Sequence, residues 1–264
     1  MNTPSLQLSE KELQELKEAK ILLENPGIAM KITNAIGSPI QKGLELLPKN
    51  WSSTVGNVTQ SALLKAANTA IFTMDNNTEK STNNLLHKVA VGTAGAVGGL
   101  FGLPGLAVEL PITTTIILRS IAETARANGE NINDPATKFA CLEVFALGGN
   151  TTEETTLESG YYATRAFLSN SIAQATRYVT EQGIVNESAP FILTIIGKIA
   201  KRFGIQVTEK ALAQSAPIIG AAGGALINTL FISHFQDMAK GHFIIRKLER
   251  TYGPEAVKAM YISL

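Results

Sequence analysis

Two long stretches of this chain carry no charged side chain. Val89 to Val108 passes about twenty residues without one, and Ala211 to Gln236 is a second such run. Segments so poor in charge must be covered, either by the rest of the protein or by lipid. Both runs are also rich in glycine. Gly92, Gly95, Gly98, Gly99, Gly102 and Gly105 fall in the first, and Gly220, Gly223 and Gly224 in the second. Small residues four apart, as in Gly95-Ala-Val-Gly98-Gly99 and Gly220-Ala-Ala-Gly223-Gly224, let helix backbones approach closely. Each run reaches the roughly 20 apolar residues that a bilayer span needs. Against a span, Pro104 splits the first run, its glycines lower its hydropathy, and Ser215, Pro217 and Asn228 weaken the second. Three readings stay open: a hairpin sealed inside a helical domain, a hairpin that contacts lipid reversibly, or a permanent span.

The rest of the composition narrows the class. The chain has 264 residues, of which 45% are apolar and only 17% charged, against about 25% charged in a typical domain. A net charge of +1 gives no pull toward nucleic acid. Cys141 is the single cysteine, so no disulfide forms within the chain, which suits a reducing compartment. The first residues, MNTPSLQLSEKELQELKEAK, have no apolar stretch after a basic start. The expectation is a cytoplasmic protein, peripheral on the inner face of the membrane.

Periodicity points to an all-α, multi-helix bundle with a buried glycine-rich helical core. Residues 9–24 form a capped helix, with Ser9 and Glu12 in the capping-box arrangement and Leu8 and Leu13 as a hydrophobic staple. A second helix runs from about Thr54 to Met74. The polar stretch Asp75 to Asn84 reads as an exposed loop between a 1–80 N-terminal helical segment, packed on the core, and an 85–264 helical domain. In the first uncharged run, Pro104 and Pro111 interrupt the pattern, and a bend is expected near Leu103–Gly105. The helix after it ends near Ala127 and stops at Gly129. Asp134-Pro135 starts another helix, which ends at Gly148-Gly149. Helices then follow over Glu158–Glu181 and from Pro190 to Gly204, and a last short one follows Gly253-Pro254. No useful strand alternation occurs.

Chemistry-bearing residues are few. Glu109, Arg119, Glu143 and Arg165 each stand alone among apolar neighbours. An unpaired buried charge costs several kcal/mol, so these four are expected to form one compensated cluster, extended by Glu123 and Arg126. Such a cluster is either a structural ion-pair network or a polar ligand-binding or catalytic centre. His234 and Asp237 lie one helical turn apart with His242 after them, but no HExxH or cysteine spacing completes a metal site. No catalytic residues are assigned, because there is no nucleophile elbow, phosphate loop or dinucleotide fingerprint, and no cofactor is expected. The basic tail Lys240–Arg250 sets Phe243 and Ile244 beside Arg246 and Lys247, a pattern that suits an anionic membrane surface as well as an ordinary surface helix. With Leu100, Phe101 and Leu103 of the first run, these four are the candidate membrane or lipid contacts.

The block from Gly98 to Gly149, GGLFGLPGLAVELPITTTIILRSIAETARANGENINDPATKFACLEVFALGG, resembles the core of the EcsC family. Tyr162-Ala-Thr-Arg165 and the Gly220–Gly253 region, with LERTYG at 248–253, are similar too. Together these cover about Leu85 to Tyr261, and the combination LPG, ELP, RSIAE and LEVFALGG carries the specificity. The resemblance implies a bacterial protein named for an ABC-transport operon; it implies no reaction and transfers no catalytic residue. The expected role is therefore a membrane-associated or lipid-interacting protein, accessory to an ABC-type transport system. The alternatives are an enzyme on an apolar or lipid-like substrate using the Glu/Arg cluster, and a pore-forming or secreted bacterial effector. The expected partner is a membrane lipid or membrane protein, with no nucleic acid.

Overall fold

The computed structural model describes residues 8–24, 27–36, 51–73, 102–149, 160–182, 189–215 and 220–264. Their regular structure is entirely helical: α1 (Glu10–Glu24), α2 (Ile28–Ile36), α3 (Trp51–Thr73), α4 (Gly102–Ala127), α5 (Pro135–Glu143) with a 3-10 turn (Val144–Ala146), α6 (Gly160–Gln182), α7 (Pro190–Ser215), α8 (Gly220–Tyr252) and α9 (Pro254–Ser263). The all-α class read from periodicity holds.

Local chemistry explains the helix starts. The Ser9 amide donates to Glu12 Oε2 at 2.9 Å and the Glu12 amide to Ser9 Oγ at 3.3 Å, which closes the capping box. Asp134 Oδ1 accepts from the Ala136 amide at 2.9 Å, and Pro135 follows at the first helical position. Gly129 and Gly148 take φ of +80° and +72°, a conformation in which a Cβ would clash with the backbone.

Three expectations do not hold. Leu103–Gly105, the expected site of a bend, form the first turn of α4, and Pro111 lies inside the same helix. The buried stripe Leu110, Thr114, Ile117, Leu118 and Ile121 runs on past it, so packing outweighs the one hydrogen bond that proline removes. Gly204 does not end its helix: α7 continues to Ser215, held by buried Phe203, Val207 and Lys210. The basic tail is not a separate surface helix but the second half of the 33-residue α8. At 1.5 Å per residue α8 is about 50 Å long. It packs against α1, α2, α4, α7 and α9 and the 3-10 turn, which is why Phe243, Ile244 and Ile245 are all buried in succession.

One core cluster draws on every helix from α1 to α9, from Leu16 to Tyr261. The stretch Asp75–Asn84 and glycines Gly92 to Gly99 lie outside the described residues. A close helix approach occurs instead at Gly241 on α8, where an added Cβ would sit 2.7 Å from Leu23 Cγ and 3.1 Å from the Ala19 carbonyl of α1. Gly241→Ala is therefore expected to cost about 1–3 kcal/mol through overpacking. Gly197 on α7 has nothing within 4 Å of that position, and Gly197→Ala should stabilise by about 0.5–1 kcal/mol. Urea midpoints of the two variants check the opposite signs.

No described helix is long and apolar enough to cross a membrane.

Candidate functional site

The four lone charges do not form one cluster. Glu109 on α4 meets Lys210 on α7 at 2.6 Å, with both side chains sealed. Arg119, half-buried on α4, joins no ion pair among the described residues. Glu143 and Arg165 do come together, at a cleft of about 760 Å³ between α5, α6, α8 and α9. The reason is reach: Glu109 lies more than two helical turns before Arg119 on α4, and the nearest buried cation is supplied by another helix. Lys210 was legible as the last charge before the second uncharged run, just as Glu109 is the first after the other.

One wall of the cleft is a stripe of α6. Tyr162, Arg165, Ser169, Ile172, Ala173, Thr176 and Thr180 line it at helical spacing, opposite the buried Tyr161, Thr164, Leu168, Ser171 and Ala175. Ala136 and Glu143 of α5, Arg246 and Glu249 of α8, and Pro254, Glu255 and Lys258 of α9 complete it. The middle of the α6 wall is therefore small or apolar, and charges gather at its two ends, at the floor around Arg165 and at the rim, where Arg177 and Glu181 also line the cleft.

At that floor Arg165 makes a bidentate pair with Glu249, at 2.6 and 3.0 Å, the geometry in which a guanidinium binds a carboxylate best. Its guanidinium also lies 5.4 Å from the Tyr161 ring and 5.7 Å from the Tyr162 ring. Arg246 binds Glu130 at 2.9 Å, and Arg250 binds the same carboxylate. Burial by itself would raise the Glu130 carboxyl, but Arg246, the Thr137 hydroxyl and Arg250 hold it below its ordinary range.

Glu143 is different. Its side chain is 5% exposed, it lines the cleft, and no described residue donates a hydrogen bond to it. Burial pushes its carboxyl up to about 7, against the pull of Arg165 and Arg246. Behind it stands a second polar pair. The Tyr161 hydroxyl lies 3.1 Å from His242 Nδ1, and His242 Nε2 has no hydrogen-bond partner among the described residues and lies 3.7 Å from Glu143 Oε2. Burial holds the Tyr161 phenol well above its ordinary range and His242 well below. Both groups are therefore neutral, and the direction of their hydrogen bond follows the imidazole tautomer: with the phenol as donor to Nδ1, the ring N–H stands on Nε2, facing Glu143. A buried carboxyl that exchanges its proton near neutral pH, beside two guanidinium groups, can bind an anion or move a proton.

The candidate lipid contacts fare differently. Phe243 and Ile244 are 0% and 6% exposed, so the central position of α8 takes them out of reach of any surface. The cations of the tail are also occupied: Lys240 by Glu18, Arg246 by Glu130, Lys247 by Glu15 and Arg250 by Glu130. Leu100 and Phe101 lie outside the described residues, and Leu103 falls in the first turn of α4. Asp237, one turn from His234, pairs with Lys31 at 2.8 Å. Cys141 is buried and its thiol is pushed up to about 12 by burial, so it is no nucleophile. Sequence reasoning missed Glu130, Tyr161, Glu249 and the role of His242. Tyr161-Tyr162 one turn before Arg165, and Glu249 inside LERTYG, were the available signals.

Fold and site together define an all-α protein with an acid–guanidinium cleft at one end of its central helix. A sequence profile of the EcsC protein family matches residues 7–248, and the chain belongs to that family. The match takes in α1 to α3, which the sequence resemblance left aside. No curated protein and no solved structure matches the chain significantly.

Proposed function

We propose that this protein binds an apolar or amphiphilic small molecule in the cleft along α6, working at the inner membrane surface where such molecules partition. An accessory place beside an ABC-type transporter fits that role. The observation that supports it is the cleft itself. About 760 Å³ lies within the range of small-molecule sites, which are mostly apolar with a few convergent polar groups. Here small and apolar side chains make the middle of the wall, and Glu143, Arg165 and Arg246 the floor. The fluorescent probe N-phenyl-1-naphthylamine is expected to bind the wild type saturably. Ala173→Trp, which fills the cleft from an exposed position on α6, should weaken it at least tenfold with little change in thermal stability. Equal binding by both proteins would place the probe elsewhere and overturn the proposal.

A second reading, an enzyme on the same class of molecule, is favoured by the run of Tyr161, His242 and Glu143. In it Glu143 is the group that accepts or delivers a proton to a bound substrate. Turnover of lipid-like esters that is abolished in Glu143→Gln while probe binding persists would establish it; no turnover would leave binding alone.

A further inference from the structure

We infer that the cleft takes a long-chain carboxylate, its head group seated against Glu143, Arg165 and Arg246, and that one proton enters Glu143 as it binds. The inference rests on the binding function proposed above and adds the ligand's charge and its coupling to protons. The argument starts from a count of charges at the floor. Two guanidinium groups line the cleft there, Arg165 and Arg246, and Glu249, also in the lining, is bound to Arg165; behind the lining, Glu130 binds Arg246 and Arg250 together, so three cations meet two carboxylates. Glu143 is the third acid. When it is ionised the floor is neutral; when it is protonated one positive charge is left without a counter-ion.

The remaining charges near the cleft do not alter this balance. Arg177 and Glu181 at its rim pair with each other at 2.7 Å. Glu255 and Lys258 of α9 add one charge of each sign. Tyr161, Tyr162 and His242, which complete the surroundings of Glu143, are all held neutral. An incoming anion can therefore take the electrostatic place of the Glu143 carboxylate, provided that carboxylate is neutralised. The protonated carboxyl also becomes a donor: its O–H can reach an oxygen of the incoming carboxylate, while Arg165 and Arg246 supply charge from the other side. An acceptor-only Glu143 would repel the same group. Glu143 is suited to this change because no hydrogen bond from a described residue holds it in the ionised form. The apolar part of the ligand has one direction to run, along Ile172, Ala173 and Thr176 of α6.

The test uses the intact protein with three single-chain probes below their micelle concentrations: laurate, dodecanol and dodecyltrimethylammonium. Titration calorimetry at about pH 6 is expected to show laurate binding at least tenfold more tightly than either of the others. Between about pH 7 and pH 9 its affinity should fall by about tenfold per pH unit, the slope for uptake of one proton. Glu143→Gln, which puts an amide N–H donor in place of the carboxyl O–H and removes the titration, should hold its affinity across that range. Equal affinity for the three probes, a flat profile in the wild type, or a slope that survives in Glu143→Gln overturns the inference. If Ala173→Trp still abolishes naphthylamine binding in that case, the binding function stands and only the choice of ligand falls. Laurate binding unaffected by Ala173→Trp also overturns the inference, since the carboxylate would then sit elsewhere.

Discussion

Lys210→Met is expected to lose about 3–5 kcal/mol of folding stability, the usual cost of leaving one member of a buried ion pair alone. Lys210 and Glu109 are 2.6 Å apart, and their side chains are 0% and 3% exposed. The ammonium also lies 4.8 Å from the Phe231 ring centroid, which adds a cation–π contact. Burial draws Lys210 below its ordinary range, and Glu109 draws it back. Methionine matches the shape of the lysine stem but strands the Glu109 carboxylate among apolar side chains. The double variant Glu109→Gln/Lys210→Met should recover most of the loss, because no charge then remains buried. Urea denaturation of the two proteins decides the point. A single variant within about 1 kcal/mol of wild type would mean that the pair adds nothing to the contact of α4 with α7.

The second large effect concerns acid. His234 is buried, neither ring nitrogen has a hydrogen-bond partner among the described residues, and burial, helped by Lys31, pushes its pKa down to about 3. An unfolded chain protonates the same ring near 6.5. Between those values the unfolded state holds a proton that the folded state does not, so stability falls as pH drops from about 6.5 toward 3. The slope is about 1.4 kcal/mol per pH unit. His242, also buried and depressed, acts in the same direction. Glu143, Glu123 and Glu209, raised by burial, act in the opposite one. All of these remain in His234→Leu, so the difference between the two proteins isolates a single proton. Expected is a variant that gains on the wild type steadily below about pH 6.5, by several kcal/mol at pH 4, while the two stay parallel above pH 7. Parallel curves down to pH 4 would mean that the folded protein accepts the His234 proton without cost.

What was legible in the sequence follows the range of the interactions concerned. The capping box at Ser9, the Asp134-Pro135 start and the positive-φ glycines at 129 and 148 involve residues within four positions of one another, so the pattern alone predicts them. Gly204 and Pro111 carry the same kind of local signal and yet sit inside helices. There the buried stripes of α7 and α4 continue through the weak residue, and tertiary packing outweighs a local cost of about 1–3 kcal/mol. The tail at 240–250 shows the same limit on a larger scale. Its alternation of apolar and basic residues suits a surface helix, but the acids that neutralise it, Glu15, Glu18 and Glu130, come from the opposite end of the chain and from the loop after α4.

The candidate site was half legible. Glu143 and Arg165 stand out as charges without local partners, and a charge that is sealed in an apolar segment needs a counter-ion, whereas the half-buried Arg119 joins no ion pair among the described residues. Which counter-ion a sealed charge finds depends on helix packing, and no spacing rule encodes that. Hence Glu109 went to Lys210, Arg165 to Glu249, and Glu143 was left facing a cleft.

By itself, then, the order of residues determined the helical class, most helix boundaries and the need for buried charge compensation, because each rests on backbone chemistry or on the high cost of a lone ion in an apolar medium. The assembled bundle alone decided which charges meet, that α8 is central and not superficial, and that one carboxyl opens on a cleft. Those outcomes depend on the relative placement of helices distant in the chain, where the energies of many individually weak contacts are summed.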